Sequence, residues 1–229
     1  MSLGKNLQFL RKMYHSMTQE ELAEKMGVSR QTISKWEMDG AFPEMEKAIA
    51  LSKLFNCTLD ELLKEDMGIG DSAYKNLRVE EMQPFYYVRY PVISKMPEED
   101  ATNHMLSWAK MMEIENPNLI GWDFPVVSQE QSNVFHMHGY CSACILPKDY
   151  EKKCKESILQ PYTKYAVITI ENPFHNPFSR IPNAYKTLNR FMEVNGLIPD
   201  YKRDHISCYE KEYTVGDTTY MDVYIAIQS

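Results

Sequence analysis

The chain has 229 residues, 44 % of them apolar and 25 % charged, with a formal net charge of −7. That length suits one or two domains, the composition excludes disordered and collagen-like architectures, and the acidic balance excludes coating nucleic acid by electrostatics alone. Five cysteines are too few and odd in number for a disulfide framework, no apolar run approaches a membrane span, and the first residues lack a signal-peptide layout, so a cytoplasmic protein is expected.

The charge is unevenly spread. Residues 1–35 carry +3, with Lys5, Arg11, Lys12, Lys25, Arg30 and Lys35 against Glu20, Glu21 and Glu24, which leaves −10 for the rest. A local basic face on an acidic chain suits docking at one chosen place.

Residues 5–65 read as helix after helix. Leu7 and Leu10 keep helical spacing in the first. Thr18 and Glu21 form a capping-box pattern at the start of the second, Leu22, Ala23 and Met26 make its apolar stripe, and Gly27 closes it with access to φ > 0. Ser29 caps a third helix running to about Met38. Pro43 sits near the start of a fourth, and Thr58–Leu63 opens a fifth. Residues 66–83 break this composition, with Gly68, Gly70, Asp71 and Ser72 together, and read as a linker, partly helical over 72–81.

From Phe85 the apolar period changes from 3.6 to 2. Strands are expected at 85–93, 119–127, 133–146, 164–171, 205–213 and 219–228, with helices at 98–113 and 183–195. This is strand–helix–strand–strand twice, with negligible identity between the halves. The fold class is therefore an all-α head of five helices followed by an α+β domain of two such repeats around a pseudo-two-fold pocket. The domain bounds are 1–65, a linker at 66–83, and 84–229.

The segment Thr18–Glu37 joins two short helices through a Gly-containing turn, with small or β-branched Ala23, Val28 and Ile33 where the helices must cross. The second helix opens with short polar and cationic side chains that fit a major groove about 12 Å wide. From Lys5 to Glu65, including Leu54-Phe55-Asn56-Cys57-Thr58-Leu59-Asp60-Glu61-Leu62, the chain resembles the XRE/Cro-type helix-turn-helix domain. That resemblance implies that Gln19 holds a phosphate, and that Ser29, Arg30, Gln31, Thr32 and Lys35 face double-stranded DNA, with Ser34 a lesser candidate and Gln31 and Thr32 at bases. It departs from the family at Met38-Asp39-Gly40, where a glycine usually follows the Trp-Glu pair sooner. Asp39 can take the left-handed conformation, so the turn survives or shifts by one residue. A homodimer on a palindromic operator is the expected mode.

The second part is rich in aromatics. Its layout and the strings Asn133–Tyr140, Phe178–Tyr185, Tyr209-Glu210 and Tyr224–Ile227 resemble the GyrI-like effector-binding domain, over about 84–229. The resemblance implies a small-molecule effector and places Glu210 in an aromatic pocket. Glu212, two residues along the same strand face, is its rival. Trp122, Phe124, Tyr140, Phe178 and Tyr185 are the aromatic pocket candidates, whereas Trp108 lies on a helical stripe and reads as core. A carboxylate among aromatic rings attracts a flat organic cation by charge and by cation–π contact.

Cys141-Ser142-Ala143-Cys144 and His136-Met137-His138 look like metal ligands. On a strand, however, an offset of three sends the two thiols to opposite faces, and six residues put Cys144 about 20 Å from His138. No metal, cofactor or catalytic residue is therefore expected. The leading reading is a ligand-responsive transcription regulator. The alternative is a GyrI-like hydrolase of reactive small molecules, with Glu210 activating water, tethered to a DNA-reading head. A third is a domain that serves only to dimerise.

Overall fold

The computed structural model describes residues 3–65, 67, 73–124, 127–202 and 204–228. The head consists of α1 (Leu3–Met13), α2 (Gln19–Met26), α3 (Arg30–Glu37), α4 (Met45–Leu54) and α5 (Leu59–Lys64). Reciprocal capping boxes open α2 (Thr18 with Glu21) and α5 (Thr58 with Glu61), each satisfying two otherwise unpaired backbone donors. Gly27, at φ 62°, closes α2, and the Ser29 hydroxyl accepts from the Thr32 amide to start α3. Asp39 does adopt a left-handed φ of 54°, and its carboxylate accepts from the Gly4 amide at 2.8 Å. The turn after Trp36-Glu37 thus also secures the start of α1.

Leu7, Leu10, Leu22, Ile33, Leu51, Phe55 and Leu62 are fully buried and hold the five helices together. One ion pair crosses this core. The Arg11 guanidinium pairs with Glu37 at 2.5 Å and donates to the Met17 carbonyl at 2.6 Å, while the Gln19 amide donates to Glu37 at 2.8 Å. This network ties the end of α1, the start of α2 and the end of α3 to one carboxylate.

The rest of the chain forms β1 (Tyr74–Met82), β2 (Phe85–Ser94), α6 (Pro97–Met111), β3 (Asn118–Asp123), α7 (Gln129–Asn133), β4 (His138–Ile145), β5 (Ile158–Gln160), β6 (Thr163–Glu171), α8 (Pro177–Val194), β7 (Cys208–Val215) and β8 (Thr218–Ile227). One antiparallel sheet runs β1-β6-β8-β7-β3-β4-β2-β5. The units β2-α6-β3-β4 and β6-α8-β7-β8 are the two expected repeats. They lie as β6-β8-β7 against β3-β4-β2, so the sheet reads the same outward from its centre in both directions. β1 and β5 extend the two halves.

Four local differences separate this from the sequence reading. Tyr74–Met82 is a strand, neither linker nor helix, and pairs with β6. Its period was hidden because a bulge between Lys75 and Arg78, with Asn76 at φ 53°, shifts the alternation midway. Residues 66 and 68–72 of the expected linker lie outside the described residues. α8 begins six residues before Asn183 and includes Pro182. The amide that Pro182 lacks would have served the carbonyl of Phe178, which sits at the surface where water can replace it. The expected strand start at Asn133 is instead α7 and a turn, with His136 at φ 52°, so the two histidines do not share a strand. Lastly, β3 stops at Asp123, and residues 125 and 126 lie outside the described residues.

Residues directly opposite across a ladder share a face of the sheet. The row Tyr90–Ser142–Gly121–Glu210–Val223–Ile168 crosses six strands on one face. Both long helices pack on that face. α6 places Met105 and Ala109 against Val88 and Cys144, and α8 places Ala184, Leu188 and Phe191 in the cluster with Ala166, Ile168, Val223 and Ile225. On the opposite face Tyr209 stacks on Tyr224 at 4.3 Å, and Tyr165 stands edge-on to both.

The buried network in the head gives a direct test. Arg11→Ala strands the Glu37 carboxylate and should destabilise the head by about 3 kcal/mol or more, whereas Arg11→Met with Glu37→Leu should recover much of that loss. Urea unfolding of the three proteins, each carrying Trp108→Phe and Trp122→Phe so that the emission is that of Trp36, measures both.

Candidate functional site

Two separate sets of residues carry the chemistry. The first lies on the head. α3 turns Ile33 and Trp36 into the core, so Arg30, Gln31 and Lys35 face solvent, with Thr32 and Ser34 half-buried at their edges. Ser29 and Thr32 bond to each other, hydroxyl to hydroxyl, at 2.9 Å. Gln19 differs from the rest: its amide is engaged by Glu37, at the helix junction.

The second set lies at the centre of the sheet. Here the two repeats meet through the pairing of Gly121 on β3 with Glu210 on β7. α6 covers one half and α8 the other, and the seam between them is hollow. A cavity of about 820 Å³ opens beside the start of α6 and the ends of β3 and β4, bounded by Glu98, Asp123, Phe124, Met137, Gly139 and Phe178 among others. A smaller hollow of about 240 Å³ lies over Gly121, bounded by Thr102, Tyr140, Glu210 and Glu212. Both share the α6 wall, where Glu98 and Thr102 stand one turn apart.

The floor depends on two glycines. A Cβ at Gly121 would collide with the Tyr140 hydroxyl, and one at Gly139 with the ring of Phe124. Each aromatic ring can lie along the sheet only because the strand beside it has no side chain there.

The Tyr185 hydroxyl, from α8, donates to Glu210 Oε1 at 2.8 Å. Burial, against the opposing bond from Tyr185 and helped by the nearby Asp123, Glu98 and Glu212, pushes the Glu210 carboxyl up to about 7. Burial likewise raises Asp123, Glu98 and Glu212, and for the last two a neighbouring carboxylate adds to it. Burial raises the Tyr185 phenol, with the charges of Cys208 and Glu210 adding to it, and keeps it protonated as a donor. The site is a cluster of carboxylates that destabilise one another's charge, walled by aromatic rings. The larger hollow has room for a molecule of drug size, and the carboxylates along the two hollows leave an electrostatic deficit that a cation would relieve.

Glu210, Tyr185 and Tyr140 converge at the seam, and Phe124 and Phe178 border the larger hollow. Glu212 shares the face and the hollow with Glu210, so the two are neighbours at the site. Trp122 does not join them. It lies between Gly121 and Asp123 on β3, so the pleat sends it to the opposite face, edge-on to Tyr87 at 6.4 Å. Glu98, Asp123 and the two glycines were missed. Alternation along β3 puts Trp122 on one face and Gly121 and Asp123 on the other, which is the signal that could have found those two. Cys141 packs on the tyrosine side with Tyr87, while Cys144 packs under α6.

Residues 8–62 match the family model described as Helix-turn-helix. The HTH-type transcriptional activator BcrR of Enterococcus faecalis is 52 % identical over 48 residues, which are 21 % of this chain and 24 % of that protein. The chain thus spans about a quarter of that relative's length. The uncharacterized HTH-type transcriptional regulator MJ0272 of Methanocaldococcus jannaschii is 40 % identical over 48 residues, covering 21 % of this chain and 73 % of that protein. Among solved structures, EcmrR in its DNA complex aligns with 93 % of this chain and 85 % of its own at 13 % identity and a TM-score of 0.47. Among the described residues no helix is long and apolar enough to cross a membrane. With the capped helices, the buried Trp36 and the exposed face of α3 in place, the match to MJ0272, covered over 73 % of its length, shows that the chain belongs to the helix-turn-helix family of transcriptional regulators.

Proposed function

We propose that the protein is a transcription regulator that reads DNA with α3 and binds a small organic cation, of aromatic character, in the cavity at the sheet seam. The observation that carries the effector half is Glu210, held by Tyr185 and lining the smaller hollow with Glu212 and Tyr140, next to the larger hollow that Glu98, Asp123, Phe124 and Phe178 border. Burying carboxylates together is costly, and a cation within the cavity removes that cost while its rings stack on the aromatic walls. The GyrI-like resemblance of residues 84–229 supports the same assignment. On the DNA side, Gln31 and Thr32 suit base edges, Arg30 has the reach and donors for a base edge or a phosphate, and Ser29, Ser34 and Lys35 suit phosphates. Gln19 gives one amide hydrogen to Glu37 and keeps a second for a phosphate. One head covers few base pairs, so a homodimer on a palindromic operator completes the reading.

A second reading rests on the titration of Glu210. A carboxyl raised to about 7 next to a tyrosine suits a general base for hydrolysing an electrophilic substrate. Turnover of activated esters or epoxides by the full chain, lost in Glu210→Gln, would favour it over simple binding.

Three outcomes test the proposal. Rhodamine 6G should bind the full chain with an affinity that rises up to roughly tenfold from pH 6 to pH 8, as the ionised fraction of a carboxyl near 7 grows. Glu210→Gln should weaken binding at pH 8 and flatten that profile. Fluorescence anisotropy across pH checks both, and a flat profile in the unaltered protein would remove Glu210 from the site.

Without ligand, the same substitution should stabilise the protein. The folded carboxyl titrates above its unfolded value of 4.5, so the unaltered protein loses stability, relative to the variant, as pH rises from about 4.5 to 7. At pH 8 the variant should gain about 1–3 kcal/mol, and at pH 4 almost nothing. Chemical unfolding at the two pH values reads this.

On DNA, Arg30→Ala and Gln31→Ala should leave the melting temperature unchanged, because both side chains are exposed. Each should lower affinity at least tenfold for duplexes selected by the full chain from a random pool.

A further inference from the structure

We infer that α8 is the mechanical link between the effector cavity and the DNA-reading head, through a docking surface at its C-terminal end. This rests on the cavity reading proposed above, and adds the surface through which it would act.

The two ends of α8 do different things. Tyr185, in its middle, donates to Glu210 at the floor of the seam. Five residues on, or ~7.5 Å along the axis, Arg190 forms an ion pair with Glu61 of α5 in the head. At the helix end the contacts become reciprocal. The Asn56 amide of the head donates to the Glu193 carbonyl at 3.2 Å. Asn195 donates to the Met13 carbonyl at 3.0 Å and accepts from the His15 amide at 3.2 Å. The Asn195 side chain thus serves the carbonyl of Met13, at the end of α1 where helix carbonyls lack partners of their own, and Asn56 adds a bond to a Glu193 carbonyl that the Gly196 amide also serves. Beneath these bonds the buried cluster is continuous from Leu7 and Leu10 of α1 to Leu188 and Phe191 of α8 and on to Val223 of β8.

The head residues that dock, namely Met13, His15, Asn56 and Glu61, all lie outside α3. Docking consequently leaves Arg30, Gln31 and Lys35 exposed, so the docked head can still meet DNA. Glu61 also caps α5 through Thr58, at 2.7 Å from its amide. A shift of Arg190 would thus be felt at the start of α5. A ligand cation that pairs with Glu210 competes with the Tyr185 hydroxyl for that carboxylate. Release or reorientation of Tyr185 displaces α8 and, with it, the head. In a dimer on two half-sites, such a displacement changes the spacing of the recognition helices.

The test is hydrogen–deuterium exchange on the full chain, followed in peptides covering residues 10–17 and 53–61 of the head. Arg190→Met combined with Asn195→Ala should speed exchange there at least threefold while leaving the affinity for rhodamine 6G unchanged. Unchanged exchange in that variant would overturn the docking surface. If the double variant fails to fold, Arg190→Met alone answers the same question. Tyr185→Phe keeps the ring and removes the bond to Glu210. It should alter head exchange by a similar factor with no ligand present, and an unaltered head would overturn the link. Saturating rhodamine 6G should change head exchange in the unaltered protein and not in the double variant. Dye that binds without moving the head defeats the link alone. Dye that does not bind defeats the cavity reading, and the two ligand-free arms still decide the link.

Discussion

The pairing of Gly121 with Glu210 is the constraint from which the site follows. The two strand–helix–strand–strand units share one sheet by joining their second strands, β3 and β7, and each unit's helix covers its own half. The join lies between the two helices, beside the hollow that opens over Gly121. A residue there is surrounded by protein and still accessible from the side. Glu210 occupies that position, and Gly121 opposite leaves the space for the Tyr140 ring. The raised Glu210 carboxyl is a consequence of topology before it is a feature of any ligand: the seam is buried enough to disfavour charge and open enough to admit a molecule that would restore it.

The other carboxylates sharpen this. Glu98 stands in the first turn of α6, where a helix N-terminus favours a negative charge. Asp123 closes β3 on the same face as Glu210. Neither has an aromatic neighbour as its chief perturbant; burial comes first for both. Tyr185 is the one contact that favours the ionised form of Glu210. A folded protein with this arrangement gives up stability near neutral pH, which is the pattern expected where a site is built for a partner and not for rigidity.

Most of the head could be read in the sequence because its signals are local. Capping boxes at Thr18 and Thr58, Gly27 at φ 62° and the apolar stripes of α1, α2 and α3 each depend on neighbours within four residues. Even the departure at Met38-Asp39-Gly40 resolved locally, through the tolerance of Asp for a positive φ. The second domain was legible as a pattern and less so in detail. The repeat survived because alternation in a half-buried strand is strong. β1 was lost because it is an edge strand whose bulge breaks its own period. Trp122 was misplaced for a different reason: it was judged by residue type, and parity along β3 decides which face a residue serves. The same parity would have brought forward Gly121 and Asp123, residues without aromatic character that make the site's floor and charge.

The charge asymmetry takes on a physical meaning in this arrangement. The acidic excess beyond residue 35 is partly gathered at the seam, whereas the basic excess is confined to residues 1–35, the part of the head that includes most of α3, so a cation and a DNA phosphate are drawn to different parts of its field. Tight binding at the seam would not by itself alter the head, because only a difference in affinity between two conformations shifts their balance. Tyr185 supplies a source for that difference. Its hydroxyl can stabilise the Glu210 carboxylate or yield to a cation that does so, and it stands on the same rigid helix as the residues that hold the head. A helix transmits a rotation along its whole length with little loss. An element anchored at one point to a titrating carboxylate, and at its end to the capping groups of another domain, therefore needs no extended chain of contacts to couple them.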